Sequence, residues 1–208
     1  SPGIKISQVA DVYSQLCSSP DHPFPAALED ALSAFLHLLE AGYDSREIAI
    51  AGDSAGGGLG FALLLRLEQE GLPRPACVVG FSPWTDLTGE SPTLTSNAGR
   101  DAMLPAVRLE EAVGFVIGEH DPRDPLASPL FGDWKSPPPA MLFASKHEIL
   151  LDDSVALADR LRACGGDVTL ELWRNTPHAW PIFVGRLPEA DQAVSSAGAF
   201  ISRHLDAA

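Results

Sequence analysis

Apolar residues along this 208-residue chain fall into short unbroken runs separated by longer stretches with helical spacing. The runs Ile48–Gly52, Ala76–Phe81 and Ala140–Ala144 have the length and bounding residues of strands, and Ile4–Val9, interrupted by Lys5, Ser7 and Gln8, also reads as a strand. Val168–Trp173 instead alternates with period two, as a strand at the one-sided edge of a sheet should. Between the runs, Leu28, Ala31, Leu32, Phe35, Leu38 and Leu39 recur on one helical stripe, with Gly42 as its stop. Further helices are predicted over Leu59–Glu70, about Val107–Ile117 and Ser154–Cys164, the last with Asp152 or Asp153 placed to cap it. A final helix carries Ala193, Ala197, Phe200 and Ile201 on one face.

Strands separated by helices imply βαβ units, and so an α/β domain whose mostly parallel sheet is covered by helices on both faces. One such domain is expected over residues 1–208. The stretch from Ser82 to Pro139 is too long for a bare connection, so a cap-like insertion at about 82–139 is predicted to fold over the ligand end of the sheet.

Charge and composition narrow the function. There are 14 Lys and Arg against 28 Asp and Glu, a formal net charge of −14. Nucleic acid and anionic membrane surfaces reward the opposite sign. No apolar run approaches the roughly 18 residues that span a bilayer. Cys17, Cys77 and Cys164 are odd in number and include no CxxC, which argues against a disulfide framework or a zinc site. With no signal-peptide pattern at its start, a cytoplasmic location is expected.

The chemistry concentrates at Gly52-Asp53-Ser54-Ala55-Gly56, which follows a strand and opens a helix. A GxSxG sequence in that context is a nucleophile elbow. A sharp turn lifts the serine hydroxyl out of the sheet, and Gly52 and Gly56 leave room for the turn. The Ala55 amide at the helix start is placed to donate to a developing oxyanion. Gly56-Gly57-Gly58 is not followed by the Lys of a phosphate loop, and packing of the helix on the sheet accounts for it better.

A nucleophilic serine needs a base and a group to orient the base. Of the six histidines, His37 and His204 fall on helical patterns, and His22, His120 and His147 lie in connecting segments. His178 sits in the loop after the edge strand, at the same end of the sheet as the elbow. The acid is expected in the preceding strand's loop, Ser145–Asp153, which contains Glu148, Asp152 and Asp153. Serine, then acid, then histidine is the chain order of α/β-hydrolases.

Several segments together extend the match: His22–Asp30, Gly52–Gly57, Ser82–Leu87, Asp121–Pro129, Glu148–Asp153 and Pro177-His178. In this order they resemble the hormone-sensitive-lipase-like esterases, the α/β-hydrolase subgroup related to bacterial family IV carboxylesterases. The resemblance implies Ser54 as nucleophile, Glu148 as acid, His178 as base and short-acyl carboxylic esters as substrates. It implies no metal or organic cofactor. Asp152 falls where the family's next helix is capped, and pairing through the last strand would make a homodimer. Trp84, Phe131 and Trp134 are candidates for the pocket wall.

Two departures stand out. No His-Gly-Gly run occurs in the sequence, and Tyr13–Asp21 lacks the arginine expected before the His-Pro pair. The first strands, the His-Gly-Gly-Gly oxyanion loop and the N-terminal cap are therefore expected to be missing from this chain. A lactone or amide hydrolase with the same triad, or a catalytically dead binding protein, are the alternatives to an active carboxylesterase.

Overall fold

The structure is a computed structural model of the chain and describes residues 21–205. The predicted strand Ile4–Val9, the run from Tyr13 and Cys17 lie outside the described residues. Four strands, β1 (Ala49–Asp53), β2 (Cys77–Phe81), β3 (Ala140–Ser145) and β4 (Val168–Trp173), form one parallel sheet in the order β1-β2-β3-β4. Six helices accompany them: α1 (Ala26–Glu40), α2 (Ser54–Gln69), α3 (Thr93–Ser96), α4 (Leu109–Ile117), α5 (Leu151–Ala163) and α6 (Pro188–Leu205).

The central strands are apolar throughout because both faces are covered. Along β2 and β3 the side chains alternate: Val78, Ala140 and Leu142 meet Phe61, Leu64 and Leu65 of α2 and Leu157 and Leu161 of α5. Cys77, Val79, Met141 and Phe143 face the other way, onto Ala190, Ala193, Ala197 and Phe200 of α6. α1 lays Leu28, Leu32 and Phe35 on the outer side of α2. That second layer explains why α2 buries residues almost all the way round. Gly42 adopts a φ of +98° just beyond α1, where a residue with a Cβ would be strained.

The helix of the elbow begins at Ser54 and so includes the glycines, earlier than the apolar spacing from Leu59 predicts. The reason is close approach. A Cβ on Gly58 would stand 2.0 Å from the Trp84 carbonyl oxygen, and one on Gly57 would stand 2.9 Å from the Pro83 Cβ. The glycines thus pack chiefly on the turn after β2 rather than on the sheet as expected. Gly58→Ala is expected to cost at least about 3 kcal/mol, beyond ordinary overpacking. Gly56→Ala meets nothing within 4 Å among the described residues and serves as the control. Urea unfolding of the two variants checks this; equal stabilities would refute it.

The segment between β2 and β3 contains α3 and α4, α4 being preceded by a 3-10 turn at Ala106–Arg108. Trp84 and Trp134 are core residues, 8% and 4% exposed, and neither lines the cavity beside the site. Phe131 is half-buried under the Arg123 guanidinium, 5.0 Å from the ring centre. Among the described residues the area of these aromatics goes to packing.

Asp152 and Asp153 also differ from expectation. α5 starts at Leu151, and neither carboxylate caps it. Asp152 Oδ2 accepts the Thr93 amide at 3.0 Å. Asp153, 1% exposed, accepts the Thr85 and Asp86 amides at 2.8 Å each and the Ser91 hydroxyl at 3.2 Å. Both residues therefore fasten the segment after β2 to the start of α5. Burial pushes the Asp153 carboxyl up to about 7, with the Asp86 charge adding and the Thr85 and Asp86 amides and Ser91 hydroxyl opposing. The folded chain thus holds this proton to higher pH than the unfolded chain. Its contribution falls by up to about 4 kcal/mol as pH rises through the window from about 4 to about 7. Asp153→Asn keeps an acceptor for the amides and is expected to flatten that slope. Urea unfolding at about pH 5 and about pH 8 measures it, and an unchanged slope in the variant would refute the assignment.

Candidate active site

The C-terminal ends of β1, β3 and β4 bring Ser54, Glu148 and His178 together. Ser54 stands where β1 turns into α2, with a left-handed φ of +50°, a conformation that costs a non-glycine residue about 1–2 kcal/mol. The turn is held from outside: the Ser54 carbonyl accepts the Trp84 amide at 2.9 Å. It is also crowded, since a Cβ on Gly52 would lie 2.5 Å from the Gly56 backbone. The steric demand for glycine is therefore at Gly52, and Gly56 supplies the backbone that it would strike.

His178 bridges the other two residues. Its Nε2 lies 2.9 Å from Ser54 Oγ and its Nδ1 lies 2.8 Å from Glu148 Oε2. Glu148 Oε1 accepts the Ser145 amide at 3.0 Å. An ionised carboxylate can only accept, so Nδ1 carries the proton and Nε2 is left to accept from the serine hydroxyl. Glu148 is 1% and His178 3% exposed, whereas Ser54 stays partly open to solvent. Low dielectric strengthens this chain of bonds at the end that water does not reach.

The Ala55 amide belongs to the first turn of α2, where backbone N–H groups have no partner within the helix. It sits beside Ser54 at the positive end of the helix dipole. A cavity of about 320 Å³ adjoins the acid–base pair, lined by Glu148 and His178 with Arg100, Asp101, His147 and Thr176. Ser54 does not line it.

Four of the other histidines lie elsewhere. His22 and His37 are exposed, His120 packs its ring 5.2 Å from Phe24, and His204 packs 4.5 Å from Phe200. His147 is a rim residue of the cavity. Cys77 is buried in β2, and burial pushes its thiol up to about 11, so it is no nucleophile near neutrality. No group of three His, Cys, Asp or Glu among the described residues is placed to hold a metal ion.

Sequence reasoning missed Asn97, Ser82 and Ser145. Asn97 donates to the Glu148 carbonyl at 2.9 Å, and both serines are fully buried beside the His178 loop. Ser82 opens the matched segment Ser82–Leu87 and Ser145 the loop of the acid, but nothing in either pattern assigns them a contact with the histidine loop, and no motif marks Asn97.

A serine on a strand-to-helix turn, bonded to a histidine that a buried carboxylate orients, on a parallel sheet, is the architecture of a hydrolase fold. The chain belongs to the α/β hydrolase fold family, which it matches over residues 9–182. It is 40% identical over 182 residues to an acetyl-hydrolase of Streptomyces hygroscopicus, covering 88% of this chain and 61% of that protein. An esterase of Acinetobacter venetianus is 33% identical over 195 residues, covering 93% and 64%. Among solved structures, an esterase from the bacterial hormone-sensitive lipase family superimposes with a TM-score of 0.88 at 41% identity, over 90% of this chain and 63% of that one. The chain thus spans about three-fifths of the length of these relatives.

Proposed function

We propose that this chain carries the catalytic residues of a serine carboxylesterase acting on short-acyl esters, with Ser54 as nucleophile, His178 as base and Glu148 as the acid that orients it. The observation that carries the reading is the continuous bond chain from Glu148 through His178 to Ser54 Oγ. Ser54 Oγ attacks the ester carbonyl while Nε2 takes its proton. The carbonyl oxygen becomes an oxyanion, to which the Ala55 amide donates. Collapse expels the alcohol, which leaves with the proton from Nε2, and an acyl group remains on Ser54. Water, deprotonated by the same nitrogen, then releases the acid and restores the serine. Lactones, being cyclic esters, pass through the same steps.

A small acyl group fits the likeness to the Streptomyces acetyl-hydrolase. The insertion at about 82–139 acts in this reading as a cap for the one domain. The outer edge of β4, which pairs among the described residues only with β3, is the surface on which a second copy of the chain docks to form a homodimer. No helix of the described residues is long and apolar enough to cross a membrane. The test is hydrolysis of p-nitrophenyl acetate and butyrate together with labelling by a fluorophosphonate. Absence of both in the folded protein would overturn the proposal.

A further inference from the structure

Two serines without a role in the chemistry above stand at the ends of the central strands. Ser82 follows β2 and Ser145 closes β3, and both are 0% exposed. Ser145 does three things at once. Its amide donates to Glu148 Oε1 at 3.0 Å, its hydroxyl donates to the Thr176 carbonyl at 2.5 Å, and the same hydroxyl accepts the His147 amide at 3.2 Å. Ser82, held in a left-handed conformation with φ +50°, donates its amide to the Phe143 carbonyl at 2.7 Å. Its hydroxyl accepts the Ala179 amide at 3.1 Å.

The loop that these hydroxyls hold does not adopt its shape for free. Asn175 and Ala179, on either side of His178, have φ of +59° and +47°. Each such residue costs of order 1–3 kcal/mol and persists only where the surroundings impose it. One serine hydroxyl grips the loop just before His178, and the other grips it just after. The carboxylate is divided in the same way: Ser145 takes Oε1, which leaves Oε2 for the ring.

We infer that Ser145 and Ser82 are positioning residues, with Ser145 setting the acid through its amide and the base's loop through its hydroxyl, and Ser82 fixing the far side of the histidine loop. The inference rests on the catalytic reading given above. A displacement of about 1 Å in such a pair costs roughly 10²-fold in rate. A serine that merely fills its own hydrogen-bonding capacity would affect stability alone.

The test uses the whole chain and two readouts. Ser145→Ala removes the hydroxyl but keeps the amide on Glu148, and Ser82→Ala removes the other grip. Each is expected to slow fluorophosphonate labelling of Ser54 by about 10-fold or more. In ¹⁵N-histidine spectra each is expected to shift the His178 Nδ1 and Nε2 resonances away from the parent values, because the bonds to Glu148 and Ser54 lengthen or turn. The groups that face the ring, Glu148 in contact and Arg100, Asp101 and His147 across the cavity, are unaltered by either change. Ser154→Ala is the control, because the Ser154 hydroxyl is buried without a hydrogen-bond partner among the described residues; it is expected to change neither readout. Ser145→Thr retains the hydroxyl and covers the case in which Ser145→Ala does not fold: labelling and spectra close to the parent support the inference, and slow labelling in a folded Ser145→Thr overturns it. Parent-like labelling and spectra in folded Ser145→Ala overturn it as well, even with a lowered unfolding midpoint. The spectra do not depend on turnover, so a failure of the esterase reading itself is seen separately, as absent labelling of the parent chain.

Discussion

Ser54→Ala is expected to abolish both the acyl burst and the steady turnover of p-nitrophenyl esters, and with them the fluorophosphonate label. Among the described residues the side chain has one hydrogen bond, from its Oγ to His178 Nε2. Alanine therefore removes the attacking atom and little else. The left-handed turn is not relieved, because alanine pays the same backbone penalty at φ +50°. The fold should survive, and the loss should approach the full triad contribution, about 10⁶-fold in kcat. His178→Ala should cost about as much, since members of such a unit do not add. Undiminished hydrolysis by Ser54→Ala would place the reaction on another group and remove the assignment.

The second large effect separates two carboxylates four positions apart in sequence. Glu148→Gln is expected to lower kcat by about 10⁴-fold, the loss associated with the wrong imidazole tautomer. The amide has one acceptor atom where the carboxylate has two. It can satisfy the Ser145 N–H or the His178 Nδ1–H, and the other donor is then met by an NH₂ group. Asp152→Asn can keep an oxygen on the Thr93 amide, and it is expected to cost about 1 kcal/mol or less with kcat unchanged. Steady-state kinetics paired with urea unfolding decide the matter. A collapse of kcat in Asp152→Asn beside an active Glu148→Gln would reverse the roles.

The strands of the described region were readable because residues covered on both faces leave an unbroken apolar run, and because the edge strand β4 alternates. The elbow was readable as a motif in its strand-to-helix setting. Other features depend on tertiary contact. α2 could not be traced back to Ser54 by propensity, since glycines disfavour a helix interior until the Pro83-Trp84 turn comes too close for any side chain. Asp152 and Asp153 look like caps in sequence, but the partners they take lie some sixty positions earlier, at Thr85, Asp86, Ser91 and Thr93. Ser82 and Ser145 carry no periodicity, and the strained backbones around His178 leave no trace in composition.

The sheet order has a temporal side. Each strand lies parallel to the one before it, so no neighbour can pair until an entire crossover has been made. Ser54 and His178 are 124 positions apart. Contacts at such separation form late and slowly, because distant segments must meet before any reward arrives. While the chain is being synthesised, the serine is an ordinary alcohol for the whole interval until β4 has docked and the turn after it has closed. In the catalytic reading, Ser54 therefore meets its base only once β4 and the turn after it are in place.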